Sequence, residues 1–66
     1  MRKVINSYGI EVDFDAAVAI MDDELREEIH AQFAPCSEQK FFDEYVKAHE
    51  ARFLGEFPAD SRDPML

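Results

Sequence analysis

The hydrophobic period of this chain changes at Phe14, and that change constrains the fold more than any other feature. Before it, Ile10 and Val12 alternate with charged residues, which is typical of a half-buried strand. After it, the large apolar residues recur at intervals of three or four, as on one face of a helix. They are Phe14, Val18, Met21, Leu25, Ile29 and Phe33. The sequence therefore predicts a strand followed directly by a helical segment.

The residues ahead of this change predict a β-hairpin. Val4 and Ile5 belong to its first strand, and residues 10–14 form its second strand around a turn at 6–9. Gly9 can adopt positive φ without a Cβ penalty, and Asn6 suits the entry to the turn. A two-stranded hairpin is marginally stable alone, so we expect its apolar face to pack on the helices that follow.

Residues 15–34 predict either one helix or two, ending before Pro35 because the residue ahead of a proline disfavours helical geometry. Asp22 and Asp23 could cap a second helix, since aspartate prefers caps to helix interiors. The apolar stripe nevertheless runs unbroken through them, and this continuity favours a single helix.

A further helix is predicted to begin after Ser37, a natural N-cap, and to stop at Gly55. Its apolar side carries Phe41, Phe42, Tyr45, Val46, His49 and Phe53. Residues 58–66 have two prolines and no hydrophobic period, so they predict an extended or disordered tail, with Phe57 placed against the core.

The predicted fold class is α+β, with one domain over residues 1–57 in which an N-terminal β-hairpin packs on two antiparallel α-helices, or three, before the tail at 58–66. A chain of 66 residues supports one small core. Cys36 is the only cysteine, which excludes a disulfide scaffold and fits a reducing bacterial cytoplasm. No signal peptide or bilayer-spanning segment is apparent, and we expect no membrane role.

Charge is the second strong feature, because eight acids and a single base, Arg26, lie between Glu11 and Glu28. The acids are Glu11, Asp13, Asp15, Asp22, Asp23, Glu24, Glu27 and Glu28, in a chain of net charge −8. Repulsion between so many carboxylates destabilises a compact state, so one interpretation is that they form a surface that binds a basic partner. The other interpretation is an ordinary solvated face that keeps the protein soluble.

The sequence offers no pattern for catalysis or for metal binding. His30, Cys36 and His49 lack the ligand spacing of a zinc site, and no glycine-rich phosphate loop or calcium loop is present. We expect Cys36 to be a buried structural cysteine at a helix corner, His30 to lie near a helix C-terminus, and His49 at the edge of the core. Hence no enzyme activity, catalytic residue, metal or cofactor is predicted. Direct nucleic-acid binding is disfavoured because no basic stripe exists.

Several segments resemble short uncharacterised acidic proteins encoded on prophages and mobile elements of gut Firmicutes, and the resemblance covers about Val4 to Phe57. The segments are 13–18, 21–27, His30, 34–39, 41–43 with Tyr45, and 47–50. Lys40 departs from the group, which tends to have an acid there, and Leu54 looks like an insertion. The resemblance implies phage or mobile-element origin, and such elements encode anti-CRISPR inhibitors that mimic DNA.

The sequence is compatible with three functions. The first is a non-enzymatic, anti-CRISPR-like inhibitor whose eight carboxylates bind a basic host or defence protein, such as a nuclease or another nucleic-acid-binding protein. The second is a homo-oligomeric assembly module, in which partly exposed aromatic residues drive homodimerisation. These residues are Phe41, Phe42, Tyr45 and Phe53. The third, ranked last, is a small metal-dependent enzyme.

Overall fold

The computed structural model describes residues 2–64, and the fold begins with the predicted hairpin. Strand β1 (Lys3–Ile5) pairs antiparallel with strand β2 (Glu11–Asp13), and Val4 lies opposite Val12. Both valines are buried, because side chains of a strand alternate between its two faces and these two face the helices. The charged residues of β1 and β2 are thereby left on the outer face.

The turn between the strands is held by the side chain of Asn6. Its Oδ1 accepts hydrogen bonds from the backbone N–H groups of Tyr8 at 2.9 Å and Ile10 at 3.0 Å. Gly9 has a φ of +77°, a backbone conformation in which a Cβ would be strained. The predicted hairpin and the roles of both turn residues are confirmed.

Two helices, not one, occupy the segment before Pro35. Helix α1 (Phe14–Ala19) is followed after a short turn by helix α2 (Asp23–Phe33), so the continuous helix favoured by the apolar stripe is wrong. Asp22 has extended backbone geometry, and its Oδ2 accepts from the backbone N–H of Leu25 at 3.0 Å. The stripe hid this break because Met21 and Leu25 are buried on either side of it.

Helix α3 (Glu38–Phe53) begins as predicted, with Ser37 Oγ accepting from the backbone N–H of Lys40 at 3.1 Å. Its end differs by one residue. Leu54, not Gly55, takes the left-handed conformation, with φ 55° and ψ 37°, at a cost of roughly 1–2 kcal/mol for a residue with a Cβ. None of the helices in the described residues is long and apolar enough to cross a bilayer.

The core is formed by the apolar face of the hairpin and the apolar sides of the helices, as the sequence predicts. Its buried hydrophobic residues are Val4, Val12, Phe14, Ala17, Met21, Leu25, Ile29, Phe42, Tyr45, Val46, Phe57 and Ala59. Phe41 and His49 are partly buried at its edge, as expected for His49. Phe53 is 46% exposed, so its predicted place on the apolar side of α3 is only half realised.

The chain after α3 folds back onto the hairpin. Phe57 is buried as predicted, but Pro58–Asp60 forms a 3₁₀ turn in which Ala59 and Asp60 are buried, so the expectation of an extended or disordered tail is wrong for these residues. Residues 61–64 form no helix or strand, as predicted for the tail, and residues 65 and 66 lie outside the described residues. We call residues 57–62 the C-terminal segment.

Three hydrogen bonds attach the C-terminal segment to the turn of the hairpin. Asn6 Nδ2 donates to the carbonyl oxygens of Ala59 at 3.1 Å and Ser61 at 2.9 Å. The backbone N–H of Ser7 donates to Asp60 Oδ1 at 2.7 Å. The burial of Asn6 and Asp60 is possible because these hydrogen bonds replace those lost to water.

Candidate functional site

Five of the eight predicted carboxylates lie on α2 or at its start. We call this group the helix carboxylates; it comprises Asp22, Asp23, Glu24, Glu27 and Glu28, all of them exposed. Leu25 and Ile29 face the core, so with 3.6 residues per turn Asp23 and Glu27 point away from it. Burial of one stripe of α2 thus fixes the direction of the charged stripe.

Two of the helix carboxylates have a basic partner. Arg26 Nη2 lies 3.4 Å from Asp23 Oδ1 one turn earlier, and Arg52 Nη2 donates to Glu28 Oε2 at 2.6 Å from α3. All four side chains are more than a third exposed, so these ion pairs contribute little stability. They do reduce the negative charge at the two flanks of α2.

Asp22 has a structural role in addition to its charge, since its side chain caps α2. The backbone N–H of Asp22 donates to the hydroxyl oxygen of Tyr45 at 2.8 Å. This bond joins the start of α2 to the middle of α3. Burial raises the pKa of the Tyr45 hydroxyl, which therefore stays neutral around pH 7. This contact fixes the point at which the helix carboxylates begin.

Glu24 and Glu27 have no basic partner within 4 Å among the residues that the structure describes. Glu24 is one turn before Glu28, and Asp23 is one turn before Glu27, so α2 carries two like-charge pairs at a spacing of four residues. Each such pair destabilises a helix by about 0.2–0.5 kcal/mol. Asp23 and Glu24 lie in the first turn, where the helix dipole favours acids, and Glu28 is paired with Arg52. Glu27 is thus the member of these pairs whose charge neither the helix dipole nor a basic partner in the described chain offsets.

The other three predicted carboxylates, Glu11, Asp13 and Asp15, lie on β2 and in the first turn of α1, and we call them the hairpin carboxylates. Asp13 is opposite Lys3 in the strand register. Arg62 of the C-terminal segment lines the same shallow groove as Glu11 and Asp13. Two bases thus stand near two of these three carboxylates.

Asp15 is paired as well, because its Oδ1 accepts a hydrogen bond from Arg2 Nη2. This bond is the main cause of a raised pKa for the Arg2 guanidinium. Arg2 also lies 2.8 Å from Glu38 Oε2, and its guanidinium carbon is 5.2 Å from the centre of the Phe14 ring. Among the hairpin carboxylates only Asp15 has a basic partner within 4 Å in the described chain, compared with two of the five helix carboxylates. The two groups are therefore compensated to a similar extent.

Sequence reasoning missed most of the bases that lie beside the eight carboxylates. No local pattern predicts these contacts, because the bases are distant in sequence from the acids near which they lie. The bases are Arg2, Arg52 and Arg62. Only Arg26 could have been found, because a base three residues after Asp23 on a helix is a recognisable pair.

An apolar groove of about 350 Å³ opens between α1, the end of α2 and the start of α3. Phe14, Phe41, His30 and Cys36 are among its lining residues. His30 lies in the last turn of α2, as predicted, and its ring packs edge-on against Phe41. Cys36 is exposed, so the expectation of a buried cysteine is wrong; the extended corner between the helices leaves its side chain outside the core.

His49 packs among aromatic rings, with ring centres 4.7 Å from that of Phe53 and 5.2 Å from that of Phe57. Its Nδ1 lies 3.2 Å from the carbonyl oxygen of Gly55, a contact that ties the end of α3 to the following turn. Within residues 2–64, no three His, Cys, Asp or Glu side chains are grouped so that they could hold a metal ion.

Comparison with known proteins gives one family. A family model described as anti-CRISPR protein AcrIC5 matches residues 5–57. A search of curated proteins gives no significant match. The matched range contains every helix and hairpin carboxylate and ends just before the 3₁₀ turn of the C-terminal segment.

Proposed function

Because the chain belongs to the AcrIC5 family of anti-CRISPR proteins, we propose that it is a non-enzymatic inhibitor that presents carboxylates to a basic, nucleic-acid-binding protein of a CRISPR defence system. On this proposal it is made by a phage or mobile element, acts in the cytoplasm of the bacterial host, and occupies a site that would otherwise hold phosphates. Direct binding to nucleic acid is not part of the proposal, since the chain has net charge −8.

The observation that carries this proposal is the arrangement of charge on α2. Its like-charge pairs lower the stability of the helix, and Glu24 and Glu27 are exposed without a basic partner in the described part of the chain. A basic partner would convert that repulsion into attraction and would increase the rate of association.

The density of charge on α2 supports mimicry of nucleic acid. Asp22 and Glu28 are six residues apart, which is about 9 Å along a helix axis. Five carboxylates and Arg26 give a net charge of −4 in that length, or about one charge per 2.3 Å, compared with about one per 1.7 Å for duplex DNA. The hairpin carboxylates, which are three in number against five on α2, would add a second, smaller contact.

The structure weakens the alternative of a homo-oligomeric assembly module. That hypothesis needs partly exposed aromatic residues, but Phe42 and Tyr45 are completely buried and only Phe53 of α3 is close to half exposed. A metal-dependent enzyme is favoured by no observation in the described residues. The inhibitor is therefore the function that the site supports best.

The test compares two variants that each remove two negative charges. Glu24→Gln with Glu27→Gln neutralises carboxylates of α2, and Asp43→Asn with Glu50→Gln neutralises exposed carboxylates of α3. Binding to purified CRISPR effector complexes is measured at about 0.1 M and about 0.3 M salt. We expect the α2 variant to bind about tenfold more weakly than wild type, with a shallower dependence on salt, and the α3 variant to bind normally.

Equal binding by the α2 and α3 variants would contradict the role of the helix carboxylates. Wild-type binding that does not weaken as salt rises would contradict charge mimicry as a whole, because exposed charges are screened at high ionic strength. Circular dichroism and thermal unfolding are measured for each variant, so that a loss of binding can be separated from a loss of fold.

A further inference from the structure

Leu54 is the most exposed large hydrophobic residue in the described chain, with 90% of its surface accessible. Its backbone is left-handed, and the N–H of Leu54 closes α3 by donating to the carbonyl oxygen of Glu50 at 3.0 Å. Glycine is the usual residue at such a position, and Gly55 stands one residue too late to fill it. The fold therefore carries strain at a side chain that buries almost nothing.

Stability does not account for a leucine at this position. An exposed leucine gains little from the hydrophobic effect, and a left-handed conformation disfavours any side chain with a Cβ. Strained residues of this kind are concentrated at functional sites, where the surrounding structure holds them in place. The observation thus points to a role for the Leu54 side chain outside the folded monomer.

The position of Leu54 relative to the charged surface indicates what that role is. Arg52, two residues earlier, donates to Glu28 at 2.6 Å, so the last turn of α3 is attached to the flank of α2 that carries the helix carboxylates. Phe53, between them, is 46% exposed. Two neighbouring exposed apolar side chains thus directly follow the residue that joins α3 to a helix carboxylate.

We propose that Leu54 is an apolar anchor for the same basic nucleic-acid-binding partner, inserting into an apolar pocket beside the basic groove that receives the helix carboxylates. This inference rests on the proposed function. Carboxylates bring the partners together and set the salt dependence, whereas a desolvated apolar contact slows dissociation and is not screened by salt. The anchor would also distinguish the intended partner from other basic proteins, since any such protein attracts the charges.

The test uses Leu54→Gly and Leu54→Asn, which remove the apolar side chain but suit a left-handed backbone, and Leu54→Met, which keeps an apolar side chain. The probe is a purified CRISPR effector complex that the wild-type protein inhibits, with affinity and dissociation rate measured at about 0.1 M and about 0.3 M salt. Thermal unfolding should show that Leu54→Gly and Leu54→Asn are as stable as wild type or more so.

We expect Leu54→Gly and Leu54→Asn to weaken binding by about tenfold to about a hundredfold, mainly through faster dissociation, while the salt dependence stays that of wild type. Leu54→Met should bind nearly as wild type does. Wild-type affinity in both Leu54→Gly and Leu54→Asn, together with normal salt dependence, would overturn the anchor and leave the proposed function standing.

Two further results would overturn the anchor. If wild-type binding does not respond to salt, charge mimicry fails and the anchor, which depends on it, fails with it. If sedimentation shows that the wild type is a dimer and that Leu54→Gly is a monomer, the leucine is a contact between copies of this chain instead of a contact with the partner.

Discussion

The C-terminal segment and helix α2 use their polar groups in opposite ways. Asp60 in the C-terminal segment is almost completely buried, and the backbone N–H of Ser7 donates to its carboxylate. Glu27 on α2 is exposed and has a like charge one turn away at Asp23. Acidic residues in one protein thus serve the fold in one region and oppose it in another, and only the second kind suggests a partner.

This contrast also divides the helix carboxylates themselves. The side chain of Asp22 caps α2, and its backbone N–H donates to the hydroxyl of Tyr45, so the fold explains the conformation of Asp22. Glu24 lies in the first turn of α2, where the helix dipole favours an acid, but Glu27 has no such explanation in the described structure. A count of acids in the sequence therefore overstates the number of residues that need a functional interpretation.

The strongest test of this contrast is Asn6→Ala, which removes the link between the hairpin turn and the C-terminal segment. Four hydrogen bonds of this buried side chain are lost, including those donated to Ala59 and Ser61. We expect the free energy of unfolding in urea to fall by about 3 kcal/mol. That is most of the roughly 3–5 kcal/mol available to a domain of this size.

Ser7→Ala is the matched control, because the exposed Ser7 contacts Asp60 through its backbone and this bond survives the substitution. Its unfolding free energy should change by less than about 0.5 kcal/mol. A similar, small effect for Asn6→Ala and Ser7→Ala would show that the hydrogen bonds of the Asn6 side chain contribute little to holding the C-terminal segment.

A smaller loss is expected for Tyr45→Phe, which keeps the buried ring and removes the hydroxyl that accepts from the N–H of Asp22. The cost should be about 1 kcal/mol, measured by urea unfolding at pH 7. Because burial raises the pKa of Tyr45 above that of the unfolded chain, its contribution is present below about pH 10 and is lost as pH rises through the folded pKa. Tyr45→Phe should therefore make stability less sensitive to alkali; an unchanged alkaline dependence would contradict this.

The smallest effect, and the only gain, is expected for Glu27→Gln. Removing this charge relieves the repulsion from Asp23 and Glu24, and should raise the free energy of unfolding by about 0.3–0.5 kcal/mol at low salt. The gain should disappear at high salt, where screening removes the repulsion. A loss of stability would mean that Glu27 is structural, as Asp60 is.

Glu44→Gln on α3 is the control of opposite sign. The hydrogen bond from Lys40 lowers the pKa of Glu44, with a second contribution from Lys47. A lowered pKa contributes stability at neutral pH that is lost as pH falls through the folded value. Glu44→Gln should thus be less stable than wild type at pH 7, and the difference should shrink in acid.

Local signals in the sequence predicted the parts of the fold that depend on neighbouring residues. Asn6 and Gly9 gave the turn, and Ser37 gave the start of α3, because turn and cap preferences act over a few residues. The break before α2 escaped prediction even though Asp22 was recognised as a cap, since Met21 and Leu25 stay buried across it and preserve the stripe.

The remaining features depend on contacts between distant residues. Asn6 and Ala59 are 53 residues apart, and no pattern in residues 57–62 indicates that they would pack on the hairpin. The site was predicted as a set of eight acids, but Arg2 and Arg52, which pair with Asp15 and Glu28, come from other elements. The left-handed Leu54 was missed because Gly55 gave the stronger local signal.

The link from Asn6 to Ala59 and Ser61 has a consequence for biosynthesis. A nascent chain can form the hairpin early, but the groups that hold its turn against the core leave the ribosome only after all of α3. Contacts of such wide sequence separation also form late in folding, because closing a long loop costs entropy before any contact offsets it. An interrupted translation product that stops before residue 59 would accordingly lack the closure of the domain while already carrying every carboxylate of α2.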